Sequence, residues 1–502
     1  MKQLFRFSIM LLALLLPALA TAYDFEVDGI YYNINDNKAT VTYYDDPFSA
    51  RYSGSVVIPA TVTYNGTTYP VTSIGPKAFY WCTGLTSINI PNSVTSIGQE
   101  ALAYCTGLTS INIPKSVTSI GYCAFDSTAW YNNQPDGLVY AGKVAYKYKG
   151  TMPSGTNLTL KEGTLGIAVA AFEGCPGLTS IVIPSSVTDI SPRAFADCPV
   201  LISIVVENGN PKYDSRNNCN AIIKTTYNSL IVGCKNTIIP NSVTSIDEYA
   251  FYYCTGLTSI DIPKSVIEIG SSAFAGCTGL TSIVIPKSVT EIGDWAFEDC
   301  TSLTSIVIPK SVTEIGDWAF AYCEGLTSIN IPKSVTEIGD GAFCGCTGLT
   351  SINIPKSVTS IGTGAFGGCT KLTSIDIPKS VIEIGSSAFE GCIGLTSIII
   401  PKSVTEIWGR TFAGCTGLTS IVIPNSVTKI GNKAFSWCSG LTDVYSYIAD
   451  LSRVSSGNEQ FCLNYSDYSG RTLHVLQGMA DAYRADENWY PYFGQIVEDL
   501  MP

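Results

Sequence analysis

Residues 280–302, LTSIVIPKSVTEIGDWAFEDCTS, are followed by LTSIVIPKSVTEIGDWAFAYCEG, and the two 23-residue blocks differ at only four positions. A period of this length limits the fold more than any other feature of the chain. One such unit cannot cover its own apolar face, so copies must stack on one another into a solenoid. The motif is L-T-S-I-x-I-P-K-S-V-T-x-I-G-x-x-A-F-x-x-C-x-G. Its cysteine recurs at Cys254, Cys277, Cys300, Cys323, Cys346, Cys369, Cys392, Cys415 and Cys438. Cys82 with Cys105, and Cys175 with Cys198, keep the same step. Of the 502 residues 46 % are apolar and only 14 % charged, enough for a long continuous core. Such a composition argues against disorder.

Within one unit I-x-I alternates as a strand does, with both isoleucines inward. The proline after it cannot donate to a ladder and ends the strand. V-x-x-I supplies a second inward wall, and Phe and Cys, three apart in A-F-x-x-C, share the face of a short helical turn. The expected fold is a repeat solenoid with a parallel β-sheet along one side. Short helical turns or irregular segments form the other. Two stretches break the register. GLVYAGKVAYKY, inside an interruption near 129–157, reads as a hairpin around a glycine turn. CNAIIKTTYNSLIVGC, inside 207–236, reads as a hairpin leaving the solenoid, with Ile222 opposite Ile231 and Cys219 opposite Cys234. The expected organisation is a β-rich N-terminal cap over 23–74, a solenoid over 75–444 and a mixed C-terminal cap over 445–502.

Lys2 and Arg6, an apolar run and a small-residue site at Ala20-Thr21-Ala22 make 1–22 read as a secretory signal peptide. No other segment is apolar enough to span a bilayer, so export without a transmembrane helix is expected. Removing Lys2 and Arg6 takes the net charge from −12 to −14, which repels phosphates and makes nucleic acid an unfitting partner.

The repeat LTSIxIPKSVTxIGxxAFxxC resembles the BspA-like branch of the leucine-rich repeat proteins, known mainly from surface proteins of oral and gut bacteria. YDFEVDGIYYNI, YDSRNNCNAII and YSGRTLHV…NWYPYFGQIV resemble further segments of that family. The chain departs from the usual L-x-x-L-x-L-x-x-N in carrying Ser at the ninth position, as at Ser288 and Ser311. A hydroxyl there can cap backbone amides as asparagine would. The resemblance implies adhesion at the cell surface, with protein or glycan ligands.

A search for chemistry returns little. His474 is the one histidine and lies in the alternating segment GRTLHVLQG, where a structural role is expected. No phosphate loop, dinucleotide fingerprint or metalloprotease motif occurs, so neither catalysis nor a cofactor is expected. The cysteines lack histidine companions, unlike zinc sites, and the pair Cys344 and Cys346 is a weak signal. Glu291, Asp294, Glu314, Asp317, Glu337 and Asp340 form an acidic stripe whose oxygens would suit calcium, though a solvated face is the simpler reading. Lys264, Lys287, Lys310, Lys333, Lys356, Lys379 and Lys402 form a column, and glutamates four residues on, such as Glu268 and Glu291, would offset its repulsion.

Recognition has one clear place to live. The residue between the two inward isoleucines points outward and changes from unit to unit. It reads Val284, Val307, Asn330, Asn353, Asp376, Ile399 and Val422 over the regular stretch, and the apolar members among them make a candidate adhesive surface. Aromatics before the cysteine column, Trp81, Tyr104, Tyr253, Tyr322 and Trp437, form a second patch. The leading reading is a monomeric, non-catalytic binding protein at the cell surface. A structural spacer, or a carbohydrate-active enzyme with its site in the caps, are the alternatives. The 13 in-register cysteines should remain thiols, because stacked side chains point the same way. Cys219 and Cys234 are the one candidate disulfide.

Overall fold

The computed structural model describes residues 23–456 and 470–500. The expected signal peptide over 1–22 lies outside the described residues. The chain divides into two compact units. One comprises Met1–Thr151, Lys161–Ala171 and Ser186–Ala194, and the other Met152–Leu160, Phe172–Ser185 and Phe195–Pro502. Each is built of stacked coils.

The second unit shows the coil at its most regular. Ser282–Val284 pairs in parallel with Ser305–Val307, residue 282 against 305 and so on, so the 23-residue period is also the sheet register. A second, shorter parallel ladder forms after each proline turn, as between Glu291–Ile292 and Glu314–Ile315. Ile283, Ile285, Val289, Ile292, Phe297, Cys300 and Leu303 of one coil are all buried. Identical side chains therefore meet across the stack. The phenylalanines from Phe251 to Phe435 form a continuous column, with centroids 5.0–5.7 Å apart and planes within 10° of parallel.

The A-F-x-x-C segment is a chain of turns, and it stops short of a helix. Cys277 N–H donates back to Phe274 O at 3.1 Å, which keeps Phe and Cys on one face as expected. Phe274 N–H and Gly276 N–H donate instead to the next coil, at Ala296 O and Glu298 O, both 2.8 Å. Every second amide is thus committed to the neighbour, and an i→i−4 ladder cannot propagate. The glycine after the second ladder is required by contact: a Cβ on Gly293 would lie 2.7 Å from Ser271 N of the preceding coil.

Both interruptions are antiparallel hairpins, Gly137–Ala141 with Val144–Lys149 in the first unit and Ile222–Lys224 with Ser229–Val232 in the second. The second does not leave the solenoid as expected. Its return strand pairs in parallel with Ser245–Ile246, so the hairpin is stitched into the ladder and its edge amides find partners. At the N-terminal end Ile30–Asn35 pairs antiparallel with Phe25–Val27 and Lys38–Thr42. The repeated strand ladder already begins there, with Gly54–Val57 parallel to Leu85–Asn89. At the C-terminal end Asp443–Ser446, Thr472–Leu476 and Gln495–Leu500 continue the parallel sheet. The helix Ala480–Ala485 packs there through its own buried Tyr483, whose ring meets buried Trp489 edge-on at 5.1 Å.

Candidate binding surface

Strand alternation buries Ile283 and Ile306 and leaves Val284 and Val307 72 % and 66 % exposed. Pairing then lines the outward residues up. Asp261 bridges to Val284, Val284 pairs with Val307, Val307 with Asn330, Asn330 with Asn353, and Asn353 bridges to Asp376. Asn330, Asn353 and Asp376 are exposed. Ile399, 72 % exposed, pairs with the half-buried Val422. The expected column is therefore one physical row within the second unit, with an apolar stretch at either end of a polar middle.

The row runs further than the repeat does. Val422 pairs with Tyr445, Tyr445 with His474 and His474 with Val497. The strand alternation of LTDVYSYI and GRTLHVLQ carries that signal, but 29 residues separate Tyr445 from His474 and break the 23-residue count. The His474 ring stacks on Tyr445 at 4.3 Å. Its Nδ1 lies 2.8 Å from Asp499 Oδ2 and its Nε2 3.1 Å from Asp443 Oδ1. Both ring nitrogens are thus engaged by carboxylates, leaving neither to activate a serine. The Asp443 carboxyl is held below its ordinary value by the Thr442 hydroxyl first and by His474 next.

Tyr253 and Tyr322 belong to the turn segment, a different stretch of the coil from the strand row. Each ring lies over the next coil's glycine: a Cβ on Gly276 would meet Tyr253 Cγ at 2.6 Å, and one on Gly345 would clash with Tyr322 Cδ1. Part of each ring is packing and the remainder faces solvent.

All described cysteines are free thiols, and the ladder has a hydrogen-bonding logic. Cys277 Sγ donates to Phe251 O at 3.2 Å, Cys300 Sγ to Phe274 O at 3.3 Å and Cys323 Sγ to Phe297 O at 3.2 Å. Each thiol turns to the preceding coil's carbonyl and not to the neighbouring sulfur. Burial pushes the Cys254 and Cys438 thiols up to about 12 and lifts those of Cys277, Cys300 and Cys323 well above the ordinary thiol range.

Cys219 and Cys234 are not joined either. The hairpin register shifts between Ile222 and Ile223, so Ile222 faces Val232 where symmetry had placed Ile231. Cys219 lies outside the strand, at the end of the 3-10 turn Arg216–Asn218. Its Sγ points to Ala221 O, whereas Cys234 Sγ donates to Asn220 O at 3.2 Å.

Three further expectations change in detail. Along the acidic stripe Asp294 Oδ1 accepts from Asp317 N at 2.8 Å, Asp317 Oδ1 from Asp340 N at 2.7 Å, and Asp340 Oδ1 from Thr363 N at 2.6 Å. These carboxylates cap the next coil. Among the described residues no three acidic, histidine or cysteine side chains gather as a metal site. Neither named serine at the ninth position caps an amide: Ser288 Oγ donates to Val266 O at 2.6 Å, and Ser311 Oγ is buried without a hydrogen-bond partner. The lysine column forms no ion pairs with the glutamates four residues on. Lys287 and Ser288 lie in a turn and the chain then runs to Glu291, where the short strand Glu291–Ile292 starts, whereas only a helix brings i and i+4 together. Among the described residues the glutamate row has one ion pair, Glu406 with Lys429 of the next coil at 3.1 Å.

Coils with inward Leu, Ile and Val, a parallel ladder and an outward variable row define a leucine-rich repeat solenoid. The particular branch follows from comparison. The family model described as BspA type leucine rich repeat region, with six copies, matches residues 72–201, 142–231, 220–350 and 336–457, and the chain belongs to that family. A solved leucine-rich repeat protein from Bacteroides ovatus is 31 % identical, over 88 % of this chain and 99 % of that one, with a TM-score of 0.44. A leucine rich cell surface protein from Faecalibacterium prausnitzii is 30 % identical, over 65 % of this chain and 93 % of that one, with a TM-score of 0.39. No curated protein matches. No helix among the described residues is long and apolar enough to cross a membrane.

Proposed function

We propose that the chain is a secreted or surface-displayed, non-catalytic binding protein that engages host or microbial proteins or glycans through its solenoid surface. The observation that carries this reading is the strand row. Val284, Val307 and Ile399 hold 66–72 % of their surface in water on a sheet face, where a soluble coil gains nothing from them. Exposed apolar side chains on a rigid sheet are the composition of an interface core, and the polar Asn330–Asn353–Asp376 middle supplies direction. Membership in a family of bacterial surface proteins supports the same reading.

The test is adhesion of the full chain to immobilised host matrix proteins and mucins. It is compared with a variant carrying Val284→Lys, Val307→Lys, Ile399→Lys and Val422→Lys. Adhesion should fall sharply while thermal unfolding stays close to the parent. Full adhesion by a folded variant would move the site off the strand row.

A further inference from the structure

Trp81 and Tyr104 stand immediately before the column cysteines Cys82 and Cys105. Both take a left-handed backbone, with φ of 60° and 62°. Six coils place glycine at the same point, from Gly174 to Gly414, with φ between 67° and 72°. That conformation suits glycine and is unfavourable for a bulky aromatic. Coils with glycine make the same turn, so the turn itself has no need of a ring. Strain kept at an exposed position points to what the side chain presents.

In the first unit these rings form a locked ledge. Trp81 stacks on Tyr104 with centroids 5.1 Å apart and planes 20° from parallel. Tyr80 meets Tyr104 edge-on at 5.5 Å, and Phe48 meets Tyr80 edge-on at 5.4 Å. Phe48, Trp81 and Tyr104 nonetheless remain 63 %, 48 % and 40 % exposed. At the rim Lys77 Nζ sits 5.4 Å from the Tyr80 ring centre and 3.3 Å from Glu100 Oε2. The pair sets a donor and an acceptor side by side with no net charge.

We infer that this ledge binds neutral glycans, a pyranose laid on the ring surface that Trp81 and Tyr104 leave exposed beyond their mutual stack, with its hydroxyls meeting Lys77 and Glu100. A pyranose carries C–H bonds on its faces and hydroxyls around its rim. Its C–H bonds complement the negative face of an aromatic ring, and its hydroxyls need both donors and acceptors. The neutral rim selects an uncharged ligand, and the acidic chain as a whole repels phosphates. Rings already locked by neighbours lose little freedom on binding. A peptide is the poorer fit, because it would add main-chain hydrogen bonds and the ledge amides are committed: Trp81 N–H donates to Ala103 O at 2.9 Å and Tyr104 N–H to Asp126 O at 2.8 Å.

The inference rests on the reading of the chain as a binding protein but uses none of the strand-row residues, so each can fail alone. The full chain is titrated with cello-, xylo-, manno- and chito-oligosaccharides, followed by calorimetry and tryptophan fluorescence, with a proline-rich peptide in parallel. At least one oligosaccharide should bind saturably and shift the tryptophan emission. Trp81→Gly with Tyr104→Gly should weaken it by roughly tenfold or more. Unfolding should stay at or above the parent temperature, because glycine is the residue other coils carry there. No binding by any of the sugars, unchanged binding in the double variant, or binding of the peptide alone would each overturn it.

Discussion

The thiol ladder allows a quantitative test in which the native protein is exposed to iodoacetamide at pH 8. The thiolate is the species that reacts. With their thiols pushed up to about 12 by burial, Cys254 and Cys438 are ionised to roughly one part in ten thousand at that pH, against about a quarter for an ordinary cysteine near 8.5. Alkylation of these two is therefore expected to be about three orders of magnitude slower than that of a free thiol, from ionisation alone. Burial of the sulfur slows it further. Cys277, Cys300 and Cys323, fully buried and also raised well above the ordinary thiol range, should not react until the chain unfolds. The half-buried Cys123, pushed up to about 11, is an internal comparator and should label ahead of these column cysteines. Peptide mass spectrometry over a time course reads each site separately, and a denaturing, non-reducing arm detects bridges. Cross-linked peptides joining Cys277 to Cys300, or column cysteines that label as fast as Cys123 in the folded protein, would refute the hydrogen-bonded thiol column.

Two other substitutions probe the stack. Gly316→Ala places a methyl 2.7 Å from Asp294 N and 2.8 Å from Gly293 C, and should lower stability by about 1–3 kcal/mol in urea unfolding. A parent-like midpoint would show that the coils can move apart freely. Asp317→Ala removes the acceptor for Asp340 N–H and should cost about 0.5–2 kcal/mol. Asp317→Asn keeps the oxygen and should sit near the parent, and EDTA should shift neither. A chelator-sensitive midpoint would restore the calcium reading of that stripe.

The 23-residue count by itself determined a great deal. Parallel stacking makes residue i and residue i+23 neighbours, so periodicity written in the chain is also contact in space. That is why the inward Ile283, the outward Val284, the Phe column and the reduced Cys column were all legible before any coordinates. Hydrogen-bond destinations were not. The Asp294 carboxylate and the Ser288 hydroxyl each had several partners within reach, and only the offset between coils decided that one takes an amide and the other gives to a carbonyl. The Lys–Glu rows failed for a related reason: separation along the chain becomes distance only once the backbone path is known. A single register shift at Ile222 undid the symmetry that had paired Cys219 with Cys234. The same dependence let Tyr445 and His474 join the strand row across an irregular gap. Sequence determines what repeats, because every coil is in the same environment. Tertiary structure decides wherever one coil differs from the next, because there the partner comes from packing and no longer from the period.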